Sequence, residues 1–319
     1  METPNYARAA HVDFESIPVV DIADIGTEAG FARVAEDMVL AAEQVGFFYL
    51  SGHGVSEALM KQAFAASQAF FEMPEADKAT VAVDQNQRGW MAQGMSNLEG
   101  SKTFDAKEVF FWGWDVGPDA GLPLVAQNQW PDGVAPELKR DLLPYYRAVV
   151  DVSRQVLAAL AFGLGADRGF FDAAYARPLA RGQLVYYPPA TDRDLAEERF
   201  GAAAHSDFGV LTMLMQDMSG GLQVQNRAGD WIEAPPIAGT FVCNIGDLLE
   251  RWTGGRLVST KHRVLNRSAG ARYSIPIFCD PGSATVIDPA DFGADGYEVV
   301  SAGAYIVGRN QRNFSQYKA

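Results

Sequence analysis

The chain has 319 residues, of which 48% are hydrophobic and 21% charged, a composition typical of a folded protein with a sizeable core. Its formal net charge of −14 disfavours nucleic acid or an anionic membrane surface as the main partner, because both attract basic surfaces. The first residues lack the apolar stretch of a secretory signal, and no apolar run approaches the roughly 18 residues of a membrane span. Cys243 and Cys279 lie in apolar runs and predict two buried thiols. We therefore expect a cytoplasmic protein.

Two strand–helix pairs are predicted in the N-terminal part of the chain. Apolar residues recur at helical spacing between residues 29 and 45, and Gly46 follows where this helix would end. A short apolar strand then closes at a Ser-Gly-His-Gly turn. The predicted elements are a strand at Ile17–Ile22, a helix at Ala29–Val45, a strand at Phe47–Leu50, a helix at Ser56–Phe71, and strand and loop from Asp84 to Gly117.

A long helix is predicted in the middle of the chain, from about Pro136 to Leu164. Pro144 lies inside it and cannot donate the backbone hydrogen bond of an interior position, so we expect the helix to kink or restart there. The residues expected on its buried face are Leu142, Tyr146, Val149, Val152, Val156 and Leu160.

Beyond Gly182 the sequence changes to short apolar segments separated by turns, which is typical of a β-sandwich or jelly-roll. The candidate strands are Leu184–Tyr187, Val210–Gln216, Leu222–Gln225, Trp231–Ala234, Thr240–Ile245, Arg256–Leu265, Tyr273–Cys279, Ala284–Ile287 and Tyr297–Val300. A polar, helical tail is predicted at the end of the chain. The predicted fold is α+β with a mainly β core, a double-stranded β-helix (jelly-roll) buttressed by the N-terminal and central helices.

The histidines provide the clearest chemical signal. Of the four in the chain, His205 follows a Gly/Ala-rich turn and precedes Asp207 by two residues, and His262 lies in another β-like segment. Residues i and i+2 of an extended strand point to one face, so His205 and Asp207 can reach the same ion. Two imidazoles and one carboxylate are the ligands of a facial metal triad, which leaves the opposite face of the ion open for substrate and oxygen.

Arg272 and Ser274 form a second i, i+2 pair, shortly after His262. Both can donate to a carboxylate, and the planar guanidinium pairs with one through two hydrogen bonds. An arginine buried in an apolar barrel is costly without an anionic partner, and a bound 2-oxo acid would supply that partner. The alternative interpretation of Arg272 is a surface or salt-bridged residue.

Other conspicuous residues favour a structural interpretation. His53, in Ser-Gly-His-Gly, is expected to cap the end of a strand. Asp247 fits the N-cap of a short helix, after a turn formed by Asn244 to Gly246. The aromatic cluster of Phe110, Phe111, Trp112 and Trp114 fits either the core or the wall of a substrate pocket.

Several longer motifs follow one another in the order known from one enzyme family. The N-terminal half contains IPVVDIADI, GFFYLSGHGV and FFEMPEADK. The C-terminal half contains YYPP, AHSDFGVLTML, GGLQVQNRAGDWIEAPP, NIGDLLERWTGG, STKHRV and RYSIPIFCDP. In these motifs the chain resembles the isopenicillin N synthase-like branch of the iron(II)/2-oxoglutarate-dependent oxygenases, over nearly its whole length.

The resemblance implies a metal site and a cosubstrate site. His205, Asp207 and His262 match the family's iron ligands. Arg272 and Ser274 match the pair that binds the distal carboxylate of 2-oxoglutarate.

Tyr187, the second Tyr of YYPP, matches a tyrosine that contacts the cosubstrate near the metal. Two residues earlier, Val185 replaces an Asn that is common in plant members, so one polar contact is missing. The positions expected to face the prime substrate are Phe110, Trp112, Phe278 and Asp280. Of these, Asp280 replaces a Glu that is usual in the family, and it favours a small cyclic or amine-bearing substrate.

The resemblance and the predicted elements together divide the chain into four regions. Residues 1–120 form an N-terminal non-haem dioxygenase region with helices and edge strands of the core, and residues 121–180 form a helical spine. Residues 181–290 form the jelly-roll core with the iron and 2-oxoglutarate sites, and residues 291–319 form a strand and helix tail.

The implied function is that of an oxidoreductase with Fe(II), 2-oxoglutarate and O₂. This dioxygenase would couple oxidative decarboxylation of 2-oxoglutarate to hydroxylation, desaturation or cyclisation of a small organic metabolite. One alternative is an oxidase like isopenicillin N synthase, which keeps the Arg-x-Ser pair but does not use 2-oxoglutarate. Another is a noncatalytic jelly-roll protein that binds a small acid. Neither the substrate nor the oligomeric state follows from the sequence.

Overall fold

The helices lie mostly in the N-terminal half and at the end of the chain. The computed structural model describes residues 17–96, 103–115, 121–197, 199–266 and 270–313. The helices in these ranges are α1 (Glu28–Gln44), α2 (Glu57–Phe71), α3 (Glu75–Lys78), α4 (Pro136–Gly163), α5 (Asp192–Ala196), α6 (Asp247–Trp252) and α7 (Ala302–Asn313). The side chains of Thr27 and Ser56 cap α1 and α2 by accepting backbone N–H groups that the first turn leaves free.

Short strands form two main sheets around the site. The strands are β1 (Val19–Asp21), β2 (Phe47–Ser51), β3 (Gly89–Met91), β4 (Glu108–Trp112), β5 (Arg181–Tyr187), β6 (Ala202–His205), β7 (Leu211–Gln216), β8 (Leu222–Gln225), β9 (Trp231–Glu233), β10 (Phe241–Ile245), β11 (His262–Val264), β12 (Arg272–Cys279), β13 (Val286–Ile287) and β14 (Val300–Ser301). The larger sheet has eight strands in the order β1-β2-β10-β7-β12-β5-β4-β3. The smaller has four, in the order β6-β11-β8-β9, and β13 pairs with β14 separately.

Alternation along the strands of the larger sheet separates a helix-facing side from a side that faces the smaller sheet. On β4, Phe110 packs against Phe70 of α2 with 4.9 Å between ring centroids, and Trp112 lies 6.1 Å from Tyr146 of α4. Val109 and Phe111 point the other way, into a second apolar cluster that also contains residues of the smaller sheet. The period-two alternation therefore forms two cores, with the candidate site in the one between the sheets.

Helix α4 fills the groove behind the larger sheet. All six residues predicted for its buried face are buried, which confirms the helical periodicity. Pro136 occupies the first turn, where no N–H is needed, and the helix continues through Pro144 to Gly163 without the restart that we expected.

Two predictions for the segments that carry the candidate histidines were wrong. The segment predicted as a strand from Arg256 to Leu265 is extended only at His262–Val264, because its first part pairs with the end of α1 instead of a sheet. The N–H of Val258 donates to Ala42 O, and Thr260 Oγ1 donates to Val45 O. The Gly/Ala-rich segment predicted as a turn before His205 forms β6.

The predicted α+β class with a mainly β core is confirmed by this arrangement. Cys243 and Cys279 are both buried and free, as expected. Within the part of the chain that the structure describes, no helix combines the length and apolarity needed to cross a membrane.

Gly46 offers a test of the packing between α1 and the segment before β11. Its φ is +72°, and an added Cβ would overlap the carbonyl oxygen of Val258. Gly54 has a φ of +73° with open space around it, so it is a matched control for the backbone strain alone. We expect Gly54→Ala to cost roughly 1–2 kcal/mol of unfolding free energy, and Gly46→Ala to cost about 1–3 kcal/mol more because of the overlap. Urea denaturation of both variants measures this difference, and equal midpoints would contradict it.

Candidate active site

His205, Asp207 and His262 meet at one end of the smaller sheet. His205 is the last residue of β6 and His262 the first of β11, and the two are direct partners in the antiparallel pairing. Asp207 Oδ1 lies 3.9 Å from His205 Nε2 and 3.7 Å from His262 Nε2. One ligand atom from each of the three residues lies within 4.8 Å of the others. The three side chains therefore converge on a single point, as a metal triad requires.

The backbone fixes the orientation of both imidazoles. His205 Nδ1 lies 2.7 Å from Ala203 O, and His262 Nδ1 lies 3.3 Å from Thr260 O. A carbonyl oxygen accepts only from a protonated nitrogen, so each Nε2 is left with its lone pair facing the convergence point. Burial and the nearby His262 lower the pKa of His205 to about 4, which keeps this imidazole neutral at pH 7. Neutral imidazoles are the form that binds a metal ion.

Asp207 is held by two neighbouring side chains through its other oxygen. Its Oδ2 accepts from Thr212 Oγ1 at 2.5 Å and from Asn244 Nδ2 at 2.8 Å, so Oδ1 stays directed at the two histidines. Burial alone would raise the pKa of Asp207, but the two histidines and these hydrogen bonds outweigh it and lower the pKa. The carboxylate is thus ionised and oriented for a cation.

The structure places Asp207 in a loop, whereas the sequence predicted that it shares a strand face with His205. The strand ends at His205, so Asp207 lies in the following loop and not on the same strand face. The N–H of Asp247 donates to Asp207 O at 2.8 Å and holds this loop against the start of α6. Gly246, and not Asp247, is the N-cap residue of α6, and Asn244 belongs to β10 instead of a turn. The supporting role of Asn244 was therefore missed.

Arg272 lies in the same cavity as the triad, and its charge is not compensated. It is only 1% exposed, and among the described residues no carboxylate lies within ion-pair distance. Nε donates to Gly220 O at 2.8 Å and Nη2 to Gln216 Oε1 at 3.2 Å, while buried Nη1 has no hydrogen-bond partner in the described part of the chain. The guanidinium also stacks on Tyr187, 4.7 Å from the ring centroid. These features fit an absent anionic ligand.

Ser274 follows Arg272 on the same face of β12, and both line a cavity of about 580 Å³ together with the triad and Tyr187. This volume includes the open mouth and falls within the roughly 300–1,000 Å³ usual for ligand sites. Val185, next to Tyr187 on the same strand face, lines the cavity with apolar surface. The structure thus brings together the six residues predicted for metal and cosubstrate.

Of the four residues predicted to face the substrate, the structure places only Phe278 on a cavity wall. Phe278 lines the triad cavity and an adjoining cavity of about 560 Å³. Phe110 and Trp112 are fully buried on the helix-facing side of β4, so the alternation of the strand removes them from both cavities. Their neighbours Val109 and Phe111 line the adjoining cavity instead.

Asp280 is also corrected, because it is fully buried and already paired. Its Oδ2 accepts from Arg181 Nη2 at 2.8 Å, and its Oδ1 accepts from the N–H of Val210. An added Cβ on Gly209 would overlap this carboxylate. Asp280 therefore fixes the loop that carries Asp207, and the inference of an amine-bearing substrate loses its basis.

His53 has the structural role that was expected. Its Nε2 lies 3.0 Å from Gly239 O, and its Nδ1 accepts from the N–H of Val55. Burial lowers the pKa of His53, so its ring is neutral at pH 7.

Lys107 and Asn310 are site residues that the sequence did not reveal. Lys107 lines both cavities although it precedes β4 in a loop, and Asn310 reaches the adjoining cavity from α7. A lysine in a loop and a residue on a distant helix carry no local signal in the sequence, and the apolar run of β4 does not show which of Phe110 and Phe111 faces the cavity.

Two family models match the chain. One, described as non-haem dioxygenase in morphine synthesis N-terminal, matches residues 17–133. The other, the 2OG-Fe(II) oxygenase superfamily, matches residues 182–281. The chain belongs to the 2OG-Fe(II) oxygenase superfamily. The predicted resemblance is confirmed, and so is the class of enzyme, a dioxygenase that uses Fe(II), 2-oxoglutarate and O₂.

Relatives of this 2OG-Fe(II) oxygenase extend over nearly the whole chain. Homoarginine-6-hydroxylase 2-ODD-233 of Oryza sativa subsp. japonica is 33% identical over 329 residues, 95% of this chain and 98% of the rice protein. A full-length Neurospora crassa protein, solved in complex with alpha-KG and thymine, superimposes with a TM-score of 0.82 at 28% identity, covering 95% of this chain and 98% of the fungal one. A 2OG-Fe(II) oxygenase family protein from Caulobacter crescentus gives 0.81 at 31% identity, covering 93% and 98%. These likenesses confirm the jelly-roll fold class.

The support of Asp207 by Thr212 gives a testable prediction. Thr212→Val keeps the shape of the side chain but removes the hydroxyl that holds Oδ2, so we expect metal affinity to fall about 10–100-fold. Thr240→Val is the control, because its hydroxyl bonds Ile237 O at 2.9 Å, outside the triad. Anaerobic titration with Mn(II), followed by electron paramagnetic resonance, measures both affinities. An unchanged affinity in Thr212→Val would show that the hydroxyl does not orient the ligand.

Proposed function

We propose that His205, Asp207 and His262 bind Fe(II) and that Arg272, Ser274 and Tyr187 bind 2-oxoglutarate. The observation that carries the proposal is the uncompensated Arg272 guanidinium in the cavity that also contains the triad. A dicarboxylate with one end at the metal supplies the missing anion at its other end. The donor set of two imidazoles, each with Nδ1 at a backbone carbonyl, and one carboxylate held by two donors fits Fe(II).

Bound Fe(II) and 2-oxoglutarate, with O₂, supply the oxidising chemistry that couples decarboxylation to hydroxylation of the prime substrate. The residues of the chain supply position and environment. Arg272 and Ser274 fix the far end of the cosubstrate, and the Tyr187 ring supports the guanidinium from one face. Leu214, Val185 and Leu222 line the same cavity with apolar side chains and limit the entry of water.

The two alternatives predict different results with 2-oxoglutarate. An oxidase that does not use this cosubstrate would release no succinate on addition of 2-oxoglutarate and Fe(II). A noncatalytic binder would bind the acid without turnover, but it would have no need of an oriented Asp207 with two supporting donors. The named relatives and the alpha-KG complex of the fungal protein favour the 2-oxoglutarate-dependent reaction.

Removal of the Arg272 charge tests the cosubstrate site. Loss of one partner of a buried, hydrogen-bonded charge pair costs about 2–5 kcal/mol, which corresponds to about 30- to 3,000-fold in affinity. We expect Arg272→Leu to weaken 2-oxoglutarate binding by a factor in this range while Mn(II) still binds, because Arg272 is not a metal ligand. Anaerobic calorimetry with Mn(II) and 2-oxoglutarate measures the affinity of the variant for each of them.

The matched control for Arg272→Leu is Arg227→Leu, which removes an exposed arginine whose guanidinium bonds Glu43 O. Its affinity for 2-oxoglutarate should equal that of the unchanged protein. If Arg272→Leu bound 2-oxoglutarate as tightly as this control, the proposed cosubstrate site would be wrong.

The prime substrate is a small molecule in this proposal. Two candidates come from the relatives, homoarginine from the name of the rice enzyme and thymine from the complex of the Neurospora crassa protein. We expect the true substrate to stimulate succinate release several-fold above the rate without it. Parallel assays with homoarginine, thymine and no addition compare the two, and equal rates in all three would exclude both molecules.

The cell compartment and the regions of the chain are also proposals. We propose a cytoplasmic location, supported by two buried cysteines that remain free. The net charge of −14 supports the absence of nucleic acid and membrane partners. We keep the division at residues 120, 180 and 290, and no oligomeric state is assigned.

A further inference from the structure

The cavity that adjoins the triad has aromatic walls and opens on the metal side. It shares His205, Asp207 and Phe278 with the triad cavity. Phe111 from β4 and Phe208 from the loop after Asp207 line it as well. An apolar body of ring size fits such walls, and its position beside the triad is where a prime substrate would have to lie.

Asn310 lines this cavity, and its amide nitrogen has no hydrogen-bond partner among the described residues. The residue is 1% exposed, and its buried Nδ2 makes no hydrogen bond within the described part of the chain. A buried amide N–H without an acceptor costs free energy, and native proteins keep few of them. An acceptor group on a bound ligand would remove this cost.

Lys107 adds a positive charge to the same cavity. Its ammonium pairs with Asp105 at 3.0 Å, and the side chain is 12% exposed. Asp105 also accepts from Ser96 Oγ and from the N–H of Ala203, so its charge is shared among several donors. Burial would lower the pKa of Lys107, but Asp105, together with Tyr187 and Asp207, outweighs this effect and raises the pKa, so the ammonium stays charged. An ammonium has three donors, and Asp105 takes one of them.

The remaining charges of the cavity do not favour a cationic ligand. Among its described lining residues, Asp207 is the sole carboxylate, and it belongs to the triad. Asp280 is buried behind the wall in its pair with Arg181, whose Nη1 also donates to Gln87 Oε1. The lining thus offers donors and positive charge to a ligand, and no free acidic group.

Helix α7 is fixed in place where it carries Asn310. The neighbouring Arg309 pairs with Asp247 and stacks on Phe208, 4.4 Å from the ring centroid. Asp247 in turn donates its N–H to Asp207 O. Asn310 therefore belongs to a wall that is connected to the metal loop, instead of a loose tail.

We propose that the prime substrate is a small carboxylic acid with an apolar, ring-sized body, and that Asn310 and Lys107 receive its carboxylate. This proposal rests on the proposed function, because it takes the adjoining cavity as the substrate site of a 2-oxoglutarate-dependent dioxygenase. Asn310 and Lys107 are then specificity-determining residues.

Ligands that share one apolar body and differ in the charge and type of their polar group test the proposal. Phenylacetate, phenylacetamide and phenethylamine, together with their cyclohexyl and naphthyl counterparts, serve as probes. Binding is measured anaerobically by calorimetry on the protein loaded with Mn(II) and 2-oxoglutarate. We expect the acid in at least one series to bind about 10- to 100-fold more tightly than its amide, and the amine to bind weakest, because a hydrogen bond to a charged group is the stronger one. Equal affinities, a preference for the amine, or no binding of any acid overturns the proposal.

Two variants assign the preference to residues. Asn310→Leu and Lys107→Met should each reduce the ratio of acid to amide affinity about tenfold. This ratio is taken within one variant, so a general loss of stability does not change it. The controls are Gln311→Leu, at the next and exposed position of α7, and Lys61→Met, at a lysine that is 74% exposed. A ratio unchanged in both test variants would show that other groups receive the carboxylate.

The two proposals fail in different ways. If the protein does not bind 2-oxoglutarate with Mn(II), the proposed function fails before any probe is added. If 2-oxoglutarate binds and no acid is preferred, only the assignment of the substrate class fails.

Discussion

The antiparallel pairing of β6 with β11 is the constraint on which the site depends. It places His262 opposite His205, with 4.3 Å between ring centroids. Both strands are short, and hydrogen bonds to other parts of the fold fix them. Asp105 accepts from the N–H of Ala203 in β6, and Thr260 Oγ1, just before β11, donates to Val45 O. Because backbone carbonyls occupy both Nδ1 atoms, the two Nε2 atoms face one point. The position of the metal therefore depends on backbone hydrogen bonds and not on mobile side chains.

Two buried arginines of the larger sheet differ in whether a carboxylate compensates their charge. Arg181 and Arg272 begin neighbouring strands of the larger sheet and are both buried, yet Arg181 has a carboxylate partner in Asp280 and Arg272 has none among the described residues. An uncompensated buried cation costs several kcal/mol, partly offset for Arg272 by Gln216, Gly220 O and the Tyr187 ring. In the proposed function, a bound dicarboxylate would compensate this charge. The sequence alone could not distinguish the two arginines, because the distinction lies in their partners.

Periodicity was enough to predict most elements, and residue type and spacing were enough to select six residues that the structure brings into one cavity, because these depend on local pattern and on chemistry. They were not enough where tertiary contacts override the pattern. The segment before His262 was predicted as a strand but is a loop, because it bonds to the end of α1. Asp280 was predicted to face the substrate, but it pairs with Arg181. Phe110 was predicted in place of Phe111 because the four consecutive apolar residues after Glu108 do not show which face of this short strand points to the cavity. Asn310 gave no signal, because its position depends on how a distant helix packs.

The connection between α7 and the metal loop explains how oxygen activation and substrate choice can be separate and still coordinated. Asn310 touches no triad residue through any described hydrogen bond, so its side chain can change without altering the metal ligands. Its helix is nevertheless joined to Asp207 in two steps, from Arg309 to Asp247 and from Asp247 N–H to Asp207 O. Ser259 Oγ also donates to Asp247, which extends the same network to the segment before His262. A displacement of α7 would therefore affect the segments that carry Asp207 and His262. A substitution on the cavity face of α7 would not affect them. In the two proposals, residues of the two sheets hold the metal and the cosubstrate, and Asn310 of α7 acts together with Lys107 in the choice of substrate.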